Sequence, residues 1–374
     1  MSDEEDAIEQ ANFIWRPTNY SAAGYAKIDA RKKYNDFPLV FNHFEFIKWI
    51  STKTGLIETL TKYYENNEEA KAVGYNVFDT TPTTFIADDD NKYNKLQKTL
   101  AKHKEHHMHP KQWTKNLWLV KPENLNRGQG IQIFNNIKDI INFVWNTDSK
   151  VRYVVQKYIE RPLLYHKRKF DVRVWAIYTC DEKVYYYKRG YLRTSSDFFT
   201  LDIENNKSVH LTNNWFQNKL EGYSKYEDGN TLSFESFQEY LNMYHKKENL
   251  NVYDDFIKAI KDIVIDVYLA SKDILNKNNR THCFEMVGFD FMIDEDFRVW
   301  LIECNTNPYI GIVNEFIADL LPRMISEMFD IVLDTVYAPK HKYQLPEKNF
   351  ELIYTKERNT RRPFDKNLWS TKII

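Results

Sequence analysis

The stretch FEMVGFDFMIDEDFRVWLIECNTNPYIG, residues 284 to 311, sets two carboxylates and an amide, Asp290, Glu303 and Asn305, in runs that otherwise read as core strand. Two carboxylates and an amide oxygen, with no Cys or His among them, form a hard oxygen donor set suited to Mg²⁺ shared with nucleotide phosphates. Taken alone, the hairpin fits a solvated polar strand face slightly better. A two-residue turn with Asp294 opposite Phe297 predicts Gly288 opposite Glu303 and Asp290 opposite Leu301. Asp290 and Glu303 are then diagonal neighbours about 7 Å apart on one face, close enough to share a cation. Phe289, Phe291, Ile293, Trp300 and Ile302 fall on the other face.

Further candidates lie upstream. Lys121 ends the apolar run LWLV, and Gly128 and Gly130 in RGQGI let backbone approach phosphate oxygens, although an ordinary turn exposing Arg127 fits as well. In KFDVRV the strand period puts Lys169, Asp171 and Arg173 on one face; charges paired across an exposed sheet fit that spacing equally. Arg193 in GYLRTSS, with Thr212 and Asn213 in VHLTNNW, adds groups suited to a triphosphate and a carboxylate. Such types serve phosphoryl transfer, where cations and metal ions offset charge on phosphate oxygens. His103 and His107, four apart, read as part of a solvated basic loop, and no metal is assigned there.

These side chains need elements to hold them. Apolar spacing at Phe41, Phe44, Ile47 and Ile50 predicts a helix that breaks at Gly55 before a second one. Residues 77–89 hold an opening strand, 151–156 and 169–179 further strands, and IKDIINFVW a helix. Helices are predicted at 234–245, 253–275 and 314–336, the last with one buried face from Ile317 to Ile331. The mixture implies an α+β or α/β plan. The expected domains are 1–79, 80–157, 158–336 and a basic extension 337–374 with nine Lys or Arg against four Asp or Glu. That extension is expected to be solvated, with attraction to acidic peptides as the second reading.

A length of 374 residues with 43% hydrophobic and 28% charged residues supplies a sizeable core. A net charge of -1 argues against nucleic acid as a partner. Three cysteines, none in a C-x-x-C pair, suit a reducing compartment. The acidic opening MSDEEDAIEQ lacks the apolar core of a secretory signal, and no apolar run approaches membrane-spanning length. A soluble cytoplasmic protein without membrane contact is expected.

Read in order, LWLVKP with RGQGI, VVQKYIERPLL, KFDVRVW, YLRTSS, HLTNNW, and GFDFM followed by WLIECNTNP resemble the tubulin-tyrosine ligase-like family, across roughly residues 77 to 312. The resemblance implies an ATP-grasp fold with small N-terminal, central and C-terminal domains around a nucleotide cleft. It implies Lys121 and Lys169 as phosphate lysines, with Arg127, Gly128, Gly130 and Ile131 in the loop over the nucleotide. Gln156, Lys157, Tyr158 and Ile159 would form the hinge that receives adenine. Asp290, Glu303 and Asn305 would hold Mg²⁺, and Asp171, Arg173, Arg193, Thr212 and Asn213 would line the acceptor and γ-phosphate side.

The implied reaction is ATP-dependent ligation of a free amino acid, glutamate or glycine, to a glutamate carboxylate of a tubulin tail through an acylphosphate. RGQGI and KFDVRVW look closer to members that modify side chains than to those that add tyrosine. A monomer acting on microtubules, those of cilia included, is the expected setting. An acidic protein other than tubulin, or a binding protein without turnover, are the alternatives. One departure is YHKRKFD, where members often carry a glycine before the lysine.

Overall fold

The computed structural model describes residues 8–31, 37–87, 115–123, 125, 128–147, 151–202, 207–339 and 347–366. His103, His107 and Arg127 lie outside them. The chain runs through β1 (Phe13–Ile14), α1 (Ala22–Arg31), β2 (Val40–Asn42), α2 (Lys53–Asn66), β3 (Thr84–Ala87), β4 (Trp118–Pro122) and β5 (Gln132–Phe134). It continues with α3 (Ile137–Asn146), β6 (Tyr153–Lys157), β7 (Leu164–Tyr165), β8 (Arg168–Thr179), β9 (Val184–Tyr187), β10 (Tyr191–Thr194) and β11 (Thr231–Ser233). Then come α4 (Phe234–Tyr244), α5 (Lys258–Leu275), β12 (Cys283–Ile293), β13 (Val299–Asn305), α6 (Glu315–Val332) and β14 (Phe350–Tyr354).

Among the described residues the strands form two sheets, and the plan is α+β. The larger has ten strands along the path β1-β2-β12-β8-β10-β11, with β13 on β12, β7 and β9 on β8, and β14 on β9. The smaller is antiparallel in the order β3-β6-β4-β5. Every residue of β12 is buried, because both faces of the large sheet are covered. Val287, Phe289 and Phe291 pack with α5 residues such as Val264 and Val267, while Phe284, Met286, Trp175 and Ile177 meet Leu320, Met324 and Met328 of α6. The small sheet has its own core, in which Val120 and Val155 meet Ile140 and Val144 of α3.

The helix predicted through Phe41 is instead a strand: β2 pairs in parallel with both β1 and β12. Phe41, Phe44, Ile47 and Ile50 are all buried, but a strand, a left-handed His43 (φ 77°), a turn and a short helix over Lys48–Ser51 satisfy the same spacing. The break falls at extended Thr52, whose Oγ1 accepts from Gly55 N and caps α2. Gly55 sits in the first helical turn, where a Cβ would come within 2.6 Å of the Lys48 carbonyl, so its role there is close packing. Ahead of α5, residues Val252–Ile257 wind as one π-helical stretch.

The C-terminal stretch is folded where it is described. β14 extends the sheet beyond β9. Past it, Arg361 donates to Asp266 of α5 through Nε (2.7 Å) and Nη2 (2.9 Å), and Arg362 Nε reaches Asp262 at 2.7 Å. Tyr64 OH of α2 completes the cluster, donating to Asp266 at 2.9 Å.

Candidate active site

Strand alternation sends Phe170, Val172 and Val174 of β8 into the core and turns Lys169, Asp171 and Arg173 to the opposite face. Register then brings Asp290 of β12 beside Arg173, and Arg193 of β10 beside Asp171. Arg173 donates to Asp290 from Nε (2.5 Å) and Nη2 (2.9 Å), a bidentate pair. Arg193 spans both acids, with Nε 2.5 Å from Asp171 and Nη2 2.9 Å from Asp290. Thr212 Oγ1 donates to the second oxygen of Asp171. Burial works against ionisation of Asp290, yet Arg173 and Arg193 outweigh it and hold its carboxyl well below the usual range. Asp171 goes the other way, because burial exceeds the help from Arg193 and Asp290 adds repulsion.

The hairpin register differs from the expected one. Asp290 pairs directly with Glu303 and Gly288 with Asn305, then a bulge at Ile302 shifts the pairing to Phe291 with Leu301. The loop spans residues 295–297, closed by Asp294 N donating to Arg298 O (3.0 Å), with Phe297 left-handed at φ 65°. This is a three-residue hairpin, which a bulky residue at the left-handed position conceals in sequence. Asp290 and Glu303 are therefore directly opposed, with Cβ atoms roughly 5 Å apart in such pairs. Trp300 and Ile302 leave the core face; Val299, Leu301 and Cys304 occupy it instead. Trp300 Nε1 donates to Asp294 (2.8 Å), and Ile302 lines a cleft.

That cleft, about 980 Å³ and open to solvent, lies between the two sheets. It collects Lys121, Gly128, Ile131, Gln156, Lys157, Tyr158, Ile159, Lys169, Asp171, Arg193, Thr212, Asn213, Asp290 and Glu303. Arg173 stands behind Asp290, and Asn305 lines an adjoining recess with Lys121 and Glu303. Gly130 backs the turn against Pro122 at φ 69°, outside the lining. Lys121 Nζ donates to Gln156 Oε1 (2.7 Å), whose Nε2 donates to Thr84 Oγ1 (2.9 Å). Lys169 Nζ donates to the His210 carbonyl at 2.9 Å. Neither ammonium meets a carboxylate within 4 Å among the described residues. Burial lowers Lys121 to about 8 and Lys169 to about 7.

Glu303 accepts from Asn305 Nδ2 (3.1 Å), which also reaches Asp290 at 3.3 Å. Burial first, then Asp290, raises the Glu303 carboxyl. An opposed pair of acids with an amide beside it suits a divalent cation, which would relieve the repulsion between them.

The motifs of this cleft now have a match across most of the chain. A family model described as "Tubulin-tyrosine ligase family" matches residues 31–344. The chain belongs to the tubulin-tyrosine ligase family. Its α+β fold is of the ATP-grasp type found in that family. It is 32% identical over 269 residues to Tubulin glycylase 3B of Tetrahymena thermophila, covering 71% of this chain and 22% of that protein. It is 37% identical over 246 residues to Tubulin glycylase 3A of Drosophila melanogaster, covering 64% and 24%. Probable alpha-tubulin polyglutamylase Ttll1 of Tetrahymena thermophila is 28% identical over 341 residues, covering 86% and 76%. The chain thus spans about a quarter of the length of these glycylases. Such relatives are consistent with a member of the polyglutamylase or polyglycylase type.

For a tubulin-tyrosine ligase family cleft, sequence reasoning missed Lys53, His210, Leu119 and Met292, all of which line it. Lys53 opens α2 and donates to the Leu125 carbonyl at 2.7 Å. The capping pattern T-K-T-G was the available signal, since it marks a helix start facing outward from Thr52. The glycine expected before Lys169 is replaced by His166 and Lys167, both left-handed at φ 47° and 65°, in the two-residue β7–β8 turn. Lys169 reaches the cleft despite that substitution. Among the described residues, no helix is long and apolar enough to cross a membrane.

Proposed function

We propose that the protein is an ATP-dependent ligase that joins a free amino acid to a glutamate side chain of an acidic tubulin tail. The observation that carries this reading is the convergence in one cleft of two ammonium groups lacking carboxylate partners, Lys121 and Lys169, with the opposed acids Asp290 and Glu303. An excess of buried cation beside a hard oxygen pair is what a triphosphate with Mg²⁺ requires.

Lys121 and Lys169 hold phosphate oxygens, while Leu119, Met292, Ile302 and the backbone of 156–159 receive the adenine. The loop at Gly128 and Gly130 covers the phosphates. Asp290, Glu303 and Asn305 would hold Mg²⁺, which would neutralise charge on the phosphates. The acceptor carboxylate oxygen attacks the γ-phosphorus and ADP leaves, giving an acylphosphate. The amino-acid nitrogen then attacks the acyl carbon, phosphate leaves and the amine loses a proton. Arg193, which lines the cleft, receives the carboxylate of the incoming amino acid, since its Nη1 lies outside the bonds to Asp171 and Asp290, while Arg173 holds Asp290 from behind. Thr212 and Asn213 flank the same side.

Glycine is the favoured donor because the relatives named glycylases have the higher identities; glutamate is the second reading, on the polyglutamylase relative. Action on microtubules as a monomer, in cilia among other sites, completes the reading. Tubulin incubated with the protein, ATP and mixed amino acids should gain mass matching glycine additions, with loss of the gain in Glu303→Gln. ADP release driven by acidic peptides but not by tubulin would move the reading to another acidic protein. Tubulin association without any transfer would leave a binding protein. An Arg193 variant with unchanged KM for the amino acid would remove that residue from carboxylate binding.

A further inference from the structure

His210 takes no part in the reaction above, yet it is 5% exposed and lines the cleft. Its Nδ1 lies 2.7 Å from Tyr158 OH, and its Nε2 lies 3.4 Å from the Asp202 carbonyl. A carbonyl only accepts, so Nε2 carries the proton and Nδ1 accepts from the tyrosine. Burial and the neighbouring Lys169 both disfavour the charged ring, in agreement with that neutral tautomer. Tyr158 in turn has its ring centre 4.8 Å from Lys169 Nζ and its hydroxyl 3.4 Å away. The backbone carbonyl of His210 accepts from the same ammonium at 2.9 Å.

Two residues on, Thr212 bonds Asp171. The two-residue step along the strap, 210 and 212, thus matches the step along β8, 169 and 171. The strap is itself held: Gln217 Nε2 donates to the Ser208 and Leu211 carbonyls at 2.8 and 2.5 Å, and its Oε1 accepts from Ser196 N and Oγ. Without such restraint, Lys169 has a competing partner in Asp171 on its own face of β8, whose charge favours the ammonium.

We propose that His210 is a positioning residue, which fixes the Tyr158 ring through Nδ1 and the Lys169 ammonium through its carbonyl, so that the ammonium stands ready for a nucleotide phosphate. The inference rests on the nucleotide-cleft reading of the site. It predicts a dependence on a ring nitrogen whose partner is the Tyr158 hydroxyl.

His210→Leu keeps the carbonyl and removes the acceptor. Calorimetry without acceptor or amino acid should show ATP binding weakened roughly tenfold, the effect of losing about one buried hydrogen bond. In turnover, KM for ATP should rise by a similar factor while kcat falls less. His210→Asn, which keeps an acceptor near Nδ1, should recover most of the affinity. Tyr158→Phe should match His210→Leu, and the double variant should be no worse than either, because one chain of contacts is broken twice. Additive losses, or His210→Asn as weak as His210→Leu, overturn the proposal. If His210→Leu fails to fold, Tyr158→Phe carries the test, and unchanged ATP binding in it overturns the proposal. ATP binding by the wild type without amino-acid transfer retires the ligase reading and leaves the His210 test intact; absence of ATP binding overturns both.

Discussion

Two of the buried ion clusters among the described residues are built on opposite principles. Around Asp266 the acids are met by donors from the protein itself: Arg361 reaches both carboxylate oxygens, Tyr64 adds a third bond, and Arg362 pairs with Asp262 next to it, although its Nη2 is buried without a partner. This cluster ties α2, α5 and the C-terminal stretch together and closes on itself. The cleft also pairs Asp171 and Asp290 with arginines, but among the described residues it leaves Lys121 and Lys169 bonded only to amide, hydroxyl and carbonyl oxygens. Charge that is already matched serves the fold, whereas charge held in excess costs stability and waits for a ligand.

The sharpest test substitutes one acid in each cluster. Glu303→Gln should reduce amino-acid transfer at least about a hundredfold, the scale seen when one preorganised charge contact is lost. The same change should leave the melting temperature level or higher, since it removes a carboxyl that burial and Asp290 disfavour. Asp266→Asn should do the reverse, costing about 3 kcal/mol in denaturant unfolding by stranding Arg361, with KM for ATP unchanged in the folded protein. A Glu303 variant that melts early, or an Asp266 variant that loses nucleotide binding first, would erase the distinction.

A pH series sharpens it further. Lys169 lies at about 7 in the fold against 10.5 for the ordinary lysine. Between these values the unfolded chain binds more protons, so its contribution to stability rises with pH. ATP affinity should fall over the same window as the ammonium loses its charge. Melting curves with and without ATP from pH 7 to 10 should therefore converge. The smallest effect belongs to the turn that feeds the cleft: Lys167→Gly, at φ 65°, should stabilise by up to about 1 kcal/mol in chemical unfolding, without altering KM for ATP.

Much of the cleft was legible because strand period two is unambiguous: Lys169, Asp171 and Arg173 share a face wherever the strand is placed. The order of motifs carried the rest of the lining, from Lys121 to Asn213. What stayed hidden depended on single backbone conformations. Phe297 adopts a left-handed conformation that bulky residues rarely take, so the hairpin read as one residue tighter, and Trp300 and Ile302 were put on the wrong face. Lys53 was obscured because Gly55 suggested a helix break, although it is needed for contact with Lys48. The Phe41 segment shows the limit of apolar spacing, since a three-residue strand, a turn and the short helix Lys48–Ser51 bury the same side chains that one continuous helix would have. The folding of residues 347–366 had no local signal, as its arginines are matched by acids about a hundred positions away.

One consequence concerns Gln217, a fully buried amide whose two ends grip the segment through Ser208 and Leu211 and the chain just past β10 at Ser196. A protein engineer transplanting this cleft to a new scaffold by copying only the residues that face the nucleotide would leave it behind. The graft would carry Thr212 and Asn213 on a loop free to wander, and its lysine would have lost the far wall that keeps it aimed.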